Sequence, residues 1–511
     1  MCLTFFHRQN MKFQQAAKIF MQYLIEYPMG KQRIENHLKQ IVLNAKYEFE
    51  SGRVSALELV HAVILKLPIP LLEEYTNIFF LPLVLQLVND ESKECREIAA
   101  KCIVALLKRL SNQMLLSLHE YAERWSSVDG EGGRQLRRTA VQLFGIFMDA
   151  RVDFMKKGNR IEKVIAYLQT CVENEFASLP DYTSVLSGMQ WEMTYFCLQT
   201  LEKISKTSPQ LVRKDVTLWE YVIKCLVHPH PWVKLISSRI IYDQFSNENA
   251  DKYTSLTTSN ASSIILRIPG SLFDIVRNLC FQLNSEEDQI SEETSTMAIR
   301  NLTWAIKVIE RHPHLCVKEN ENQDDFDETD DDSITQCNEG LNPVTWLVRR
   351  LAGIAKKNGS TRRERIFKCF AAFASVCSVE TTASHLELML EPLNRVLAEI
   401  AHKEANSAKK RKLDSDTVSA ADLPKEVMLL MENVCGTDRY MAALSNVKSK
   451  AREKREARKQ ELAAEAVHNP EAAAQRKIIK QQKEKLRRKR RIQEQKINRG
   501  VFTKKPRNIV S

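Results

Sequence analysis

Apolar residues recur along most of the chain at intervals of three and four, the spacing that gathers them on one face of an α-helix. In 135–148 the positions Leu136, Ala140, Leu143, Phe144, Phe147 and Met148 form such a stripe, and equivalent stripes run through 16–27, 56–67, 98–110, 191–204, 264–283, 297–309, 346–354 and 366–376. Between them fall Pro28 with Gly30, Pro68 with Pro70, the cluster Gly130 to Gly133, Pro180, Pro209, Pro229 with Pro231, Pro269, Pro313 and Pro343. Proline interrupts a helix because it lacks the amide and its ring clashes with the preceding turn. The pattern predicts an all-α chain built as helix, turn, helix. Only 14 Gly and 15 Pro occur in 511 residues, too few for a sandwich or barrel, which needs a turn about every 8 to 12 residues.

Two stretches narrow the fold to a HEAT/armadillo-like α-solenoid, in which paired helices of roughly 40 to 47 residues stack. Leu87 to Leu107 holds an Asn89–Asp90 turn, Arg96 six positions on, the small Ala99 and Ala100, and then an apolar stripe. Cys225 to Ile241 holds Pro229 and Pro231, then Trp232, Val233, Lys234 and the small Ser237 and Ser238. Small residues let helices approach closely, and polar residues near the turn bond free backbone groups at helix ends. The predicted organisation is helical repeats over 1–318, an acidic disordered insert over 319–342, further repeats over 343–402, a polar loop over 403–422, a last repeat helix over 423–446 and a basic tail over 447–511.

Charge separates two of these parts from the rest. The chain has 75 Lys and Arg against 64 Asp and Glu; residues 448–511 hold 22 against 7, leaving 53 against 57 elsewhere. A near-neutral body thus carries a tail of +15. In Glu319 to Asp332 nine of fourteen residues are acidic, too polar to offset the entropy of ordering. The insert reads as a solvated loop or as a regulatory contact for a basic partner. Lys409, Lys410, Arg411 and Lys412 sit in a polar stretch and read as a nuclear-localisation signal or as incidental solvated charge.

The tail is interrupted at His468, Asn469 and Pro470, where Asn469 can cap a new helix with Pro470 and Glu471 in its first turn, running to about Asn498. Its apolar residues Ile478, Ile479, Leu486, Ile492 and Ile497 are too few for a core stripe. A cationic, helical-to-disordered element fits polyphosphate, since each neutralised phosphate releases counterions. The candidate RNA contacts are Lys480, Lys483, Lys485, Arg487, Arg488, Lys489, Arg490 and Arg491. Phe502 is the tail's one aromatic, so base stacking there is weak. A membrane-surface or purely solubilising role is the competing reading of the same charge.

Catalytic and membrane signatures are missing. There is no phosphate-binding loop, HExxH, GxSxG elbow or calcium loop, and Gly130 to Gly133 follows no strand. His228 with His230 and His312 with His314 lack a cysteine or carboxylate at ligand spacing. No enzyme, metal, cofactor or small-molecule substrate is expected. The apolar stretch Tyr75 to Asn89 is too short to span a bilayer, and the start has no basic region ahead of an apolar one. The 12 cysteines sit singly with no CxxC, as reduced core cysteines of an intracellular protein do.

The chain resembles the C-terminal part of the small-subunit processome component 20 family, very large HEAT-repeat nucleolar proteins also described as down-regulated in metastasis. The likeness rests on Tyr27 to Lys31, Tyr47–Glu48, Gly52–Arg53, Phe79 to Leu83, Asn89–Asp90, and His228 to His230 with Trp232. It continues in Trp346–Leu347, Ile354 to Lys356, Ile366 to Lys368, Glu391 to Leu393 and Asn469 to Ala473. The resemblance implies a scaffold in the nucleus and nucleolus, acting in pre-rRNA processing towards 18S rRNA. Its implied partners are pre-rRNA, the guide small nucleolar ribonucleoprotein and other processome proteins. Family members are several times longer, and this chain starts inside what reads as a repeat, with Leu3, Phe5 and Phe6 facing a missing neighbour. That predicts a fragment, a truncated gene model or a short paralogue. The rival expectation is a HEAT-repeat protein-binding scaffold or nuclear transport receptor without RNA binding, for which a +15 tail has little use.

Overall fold

A computed structural model describes residues 19–20, 22–23, 26–27, 30–177, 191–212, 216–246, 268, 270–285, 291–316, 342–357, 359–408, 415–468 and 470–502. The acidic run 319–332, the tetrapeptide Lys409 to Lys412, Asn469 and the residues Leu3, Phe5 and Phe6 lie outside them. The first helices, in chain order, are α1 (Lys31–Asn44), α2 (Glu50–Lys66), α3 (Ile69–Glu74), α4 (Thr76–Asn89), α5 (Lys93–Arg109), α6 (Asn112–Ser126) and α7 (Arg134–Ala150). Next come α8 (Val152–Met155), α9 (Arg160–Ala177), α10 (Trp191–Thr207), α11 (Pro209–Val212), α12 (Val216–Cys225), α13 (Pro231–Ser246) and α14 (Ser271–Asn284). The remainder are α15 (Glu292–Arg311), α16 (Pro343–Lys356), α17 (Ser360–Val376), α18 (Val379–Ala408), α19 (Ser415–Cys435), α20 (Thr437–His468) and α21 (Pro470–Phe502).

The packing is that of an α-solenoid. Each of α1, α4, α6, α9, α12, α14, α16 and α18 packs against a second helix, α2, α5, α7, α10, α13, α15, α17 and α19 respectively. The second helices pack on one another in succession from α2 to α19, and the first helices do so from α9 to α20. Two stacked layers result, with the core between them. A second helix touches its own partner and a neighbour on either side, so it is apolar over a wider arc than a single stripe. In α7 the buried residues include Ala140, Val141, Leu143, Phe144, Ile146, Phe147 and Met148.

Several of the described prolines between stripes sit at the starts of the following helices. Pro209, Pro231 and Pro343 are first residues of α11, α13 and α16, and Pro70 lies in the first turn of α3. There the missing amide has no intrahelical partner to lose. Both repeat-like stretches form second helices, α5 and α13, as their spacing predicts. The turn before α5 shows why that spacing works. The Arg53 guanidinium grips the Asp90 carboxylate at 2.9 and 3.0 Å, and Asp90 accepts the Ser92 amide at 2.8 Å. Arg96 donates to the Asp90 and Glu91 carbonyls. Arg53, Arg96, Arg137 and Arg363 each occupy the fourth position of a second helix and bond carbonyls of the turn just before it. This satisfies backbone acceptors that the chain reversal would otherwise strand.

Neighbouring pairs are also stitched by buried polar side chains. Thr200 donates to the Val141 carbonyl at 3.0 Å, Gln244 to Ser205 Oγ at 2.9 Å, and Asn301 to the Ser238 carbonyl at 2.9 Å. Asn278 and Gln282, one turn apart on α14, donate to the Ile223 and Leu226 carbonyls at 3.1 and 2.6 Å, covering acceptors in the last turn of α12 and just past its end. Gly145 of α7 lies where α10 comes closest: a Cβ there would meet Thr200 Oγ1 at 2.8 Å. Across the second layer, Lys203 pairs with Asp149 at 2.6 Å, Lys206 with Asp243 at 3.3 Å, Arg138 with Glu192 and Arg239 with Glu293.

Ten cysteines are free and buried among the described residues; desolvation pushes thiols such as Cys102 and Cys280 up to about 12, whereas the hydrogen bond between Cys171 and Cys197 lowers Cys171 and raises Cys197. No described helix is long and apolar enough to cross a membrane.

Candidate nucleic-acid interface

The basic tail emerges from the last packed helix without a break. Gly436, at φ 84°, turns the chain from α19 into α20, and its amide closes on the Glu432 carbonyl at 2.9 Å. The positive φ suits glycine because it lacks a Cβ. The first turns of α20 lie on α18 as one more element of the first layer, burying Tyr440, Ala443 and Val447. Polar contacts hold the same edge. Glu387 of α18 accepts from Asn446 at 2.9 Å and from Lys450 at 2.6 Å. These hydrogen bonds, the Lys450 one first, hold the Glu387 carboxyl below its usual range, and Glu387 in turn raises Lys450. Glu391 bridges Lys356 at 3.1 Å and Lys454 at 3.8 Å.

Beyond Ala451 every described side chain to Ile492 is exposed. The helix holds there because it is rich in Ala, Glu, Lys and Arg, all good formers, and carries pairs such as Arg452 with Glu456 at 3.0 Å. α21 begins at Pro470 with Glu471 in its first turn, the start that the sequence pattern predicts, and extends to Phe502. At 1.5 Å per residue its 33 residues reach about 50 Å. They include 12 Lys or Arg against 3 Asp or Glu.

Lys483, Lys485, Arg487, Arg488, Lys489 and Arg490 are exposed on α21, and Arg488 lies 3.9 Å from Glu484. Lys480 and Arg491 lie on the same helix, their side chains outside the described ones. Six exposed cations within 483–490, spread over two turns, cannot all face one groove. They suit a polyanion that wraps or runs along the helix. Ile478, Ile479, Leu486 and Ile492 are all at least half exposed and enter no core.

The histidine and glycine motifs are local structure. His230 donates its amide to His228 Nδ1 at 3.0 Å, and Trp232 donates its amide to His230 Nδ1 at 3.3 Å, so both imidazoles cap the entry to α13. Burial, followed by the nearby His230 and Lys234 charges, lowers His228 to about 4. No group of three metal-binding side chains occurs among the described residues. Gly130 to Gly133 close a tight turn, with Gly130 at φ 82° and its carbonyl held by Arg137 at 3.2 Å.

Around the same entry lies a feature that the sequence reading overlooked. The Trp191 indole stacks on His230 at 3.6 Å and 8°, Trp232 stands edge-on to both at 5.1 and 5.6 Å, and Tyr195 is 5.9 Å from Trp232. Residues some forty apart meet there because α10 and α13 are adjacent second helices. The motif around His230 was legible, but its partner on the neighbouring repeat was not.

Comparison with known proteins agrees with this architecture. A HEAT-repeat family model matches 80–110, the stretch holding the Asp90 turn and all of α5. The chain is 26% identical over 471 residues to U3 small nucleolar RNA-associated protein 20 of Schizosaccharomyces pombe, covering 90% of this chain and 17% of the relative. It is 24% identical over 486 residues to the protein of the same name in Saccharomyces cerevisiae, covering 93% and 18%. The chain thus spans under a fifth of the length of these relatives. Among solved structures, it resembles Kap121p bound to RanGTP with a TM-score of 0.47 and 12% identity, covering 85% of this chain and 38% of that one. The model described as small subunit processome component 20 homolog, C-terminal, matches 136–494, from α7 through the exposed arm, and on that match the chain belongs to the C-terminal family of small subunit processome component 20 homologues.

Proposed function

We propose that this chain is a non-enzymatic nucleolar scaffold in ribosome biogenesis, acting within the small-subunit processome in pre-rRNA processing towards 18S rRNA. The solenoid holds protein partners along its two-layered surface. The arm formed by α20 and α21 holds pre-rRNA, or RNA of the guide small nucleolar ribonucleoprotein, through phosphates. The observation that carries this reading is the arm: a helix seated on the array at one end presents a run of unburied cations at the other. Family membership and relatives named for association with U3 small nucleolar RNA support the setting. Most of the charged side chains that bridge the second layer are used by one another, so the arm offers the denser positive field.

The test is ultraviolet crosslinking in cells, comparing the full chain with a variant in which Lys483, Lys485, Arg487, Arg488, Lys489 and Arg490 are changed to Gln. Pre-rRNA crosslinks concentrated on α20 and α21 and lost in the variant support the reading. Wild-type levels of RNA crosslinking in the variant would sink it.

A further inference from the structure

Three first-layer helices frame a cavity of about 820 Å³ at the foot of the arm, where the early turns of α20 meet α16 and α18. Two arginines line it, Arg349 of α16 and Arg439 of α20. Both are exposed, and neither has a hydrogen bond or ion pair among the described residues. On the same helices Lys356 and Lys450 are already paired, with Glu391 and Glu387.

The acceptors around the cavity are engaged. Glu387 is the only carboxylate that lines it, and it takes Lys450 at 2.6 Å and Asn446 at 2.9 Å. Asn342 spends its side-chain oxygen on the Val344 amide at 3.0 Å, which leaves its NH₂ group unused. His385 donates Nδ1–H to the Thr381 carbonyl at 2.8 Å, and its Nε2 meets Thr345 Oγ1 at 2.9 Å. Two guanidinium groups and an amide thus remain as spare donors, and forked donors of this kind select an anion.

The chain itself supplies one beside the cavity. The acidic run Glu319 to Asp332 holds nine carboxylates and stops ten residues before Asn342, which lines the cavity. Ten residues reach up to about 33 Å, and a flexible tether that short gives roughly millimolar effective concentration. A nucleic-acid strand fits less well, because the seam between α18 and α20 continues from the cavity past Glu391 and Glu399. A short anionic segment need not extend that far.

We propose that this cavity is a docking site for the chain's own acidic run, whose carboxylates pair with Arg349 and Arg439. The contact makes the foot of the arm a site of self-recognition, and it does not depend on the arm holding RNA. An acidic segment of another protein gains the cavity only by displacing the run.

The test titrates a fluorescent peptide of residues 319–332 into full-length chains. A chain with the nine acidic residues of its run changed to Asn or Gln is expected to bind the peptide about tenfold more tightly than wild type, whose own run competes for the cavity. Adding Arg349→Gln and Arg439→Gln to the neutralised chain is expected to weaken the peptide about tenfold. Both arginines are exposed, so a wild-type helical signal and melting temperature are expected and show that the variant folds. Equal affinity of the neutralised and wild-type chains overturns the proposal, as does full affinity after the two arginine changes. Loss of the peptide on changing the six arm cations to Gln, with no loss on changing the two arginines, assigns the acidic run to the arm and overturns it too.

Discussion

The amide of Gln282 offers a sharp test of how one repeat holds the next. It is fully buried on α14, donates to the Leu226 carbonyl at 2.6 Å and to Ser238 Oγ at 3.3 Å, and accepts from Ser238 at 3.4 Å. Gln282→Leu keeps the volume approximately but removes every polar contact. The lost hydrogen bond is worth about 1 kcal/mol, and stranding a buried carbonyl at the end of α12 adds about 1 to 2 kcal/mol, so the expected cost is about 2 to 3 kcal/mol. Gln282→Ala adds a cavity and is expected to cost about 1 kcal/mol more. In a stacked array the loss is local, since each repeat touches only its neighbours. Amide hydrogen exchange followed by mass spectrometry is the assay. Protection of α12 to α14 should fall by roughly thirty- to a hundred-and-fiftyfold for the leucine variant, with α2 to α5 and α17 to α19 unchanged. Wild-type protection in α12 to α14, or an equal loss along the whole array, would refute the claim that this amide stitches adjacent repeats.

Other consequences can be checked with less effort. Changing Lys483, Lys485, Arg487, Arg488, Lys489 and Arg490 to Gln should flatten the dependence of log affinity for single-stranded RNA on log salt by about 4, at about 0.7 per lost phosphate contact; an unchanged slope in filter-binding titrations counts against arm contact. Replacing Lys409, Lys410, Arg411 and Lys412 by Ala should lower the nuclear-to-cytoplasmic ratio of a fluorescent fusion, and equal ratios would leave the tetrapeptide as solvated charge. His119 is buried against Phe144, Phe147 and Phe154, and desolvation, then the Arg160 and Lys163 charges, lowers it to about 4. Its folded value lies below the ordinary 6.5, so its neutral form contributes fully above pH 6.5. Stability then falls as pH drops from 6.5 towards 4, by up to about 3 kcal/mol. His119→Phe should reduce that acid sensitivity in melting curves at pH 7 and pH 5, and an unchanged difference between the two would argue against His119 as its source.

The second-layer helices were the most legible part of the fold. Their stripes at 135–148, 191–204, 297–309 and 366–376 fall within α7, α10, α15 and α17, and 98–110 runs one residue past the end of α5, because a helix packed on three neighbours must be apolar over a broad arc. First-layer helices such as α6, α9 and α12 bury a narrower face and carry charge on the rest, so their signal is diluted. The prolines were legible as breaks, but their placement at helix starts follows from Pro209, Pro231 and Pro343 taking the position where no amide is needed. The cationic run was legible in full, since exposure requires no partner. The aromatic stack around Trp232 was not. A stack between Trp191 and His230 depends on the register of two adjacent repeats, which single-chain periodicity does not encode.

α20 passes from the packed first layer into solvent as one unbroken helix, with no glycine or proline between Thr437 and His468. Mechanically it is a lever about 48 Å long, clamped at its base by Tyr440, Val447 and the Glu387 contacts. A load drawn across its free end exerts a torque on α18, and through α16 and α14 on the helices behind it. On the proposed RNA-holding role, movement of the held polymer converts into bending of the array, which changes the spacing between repeats without any hinge in the arm itself.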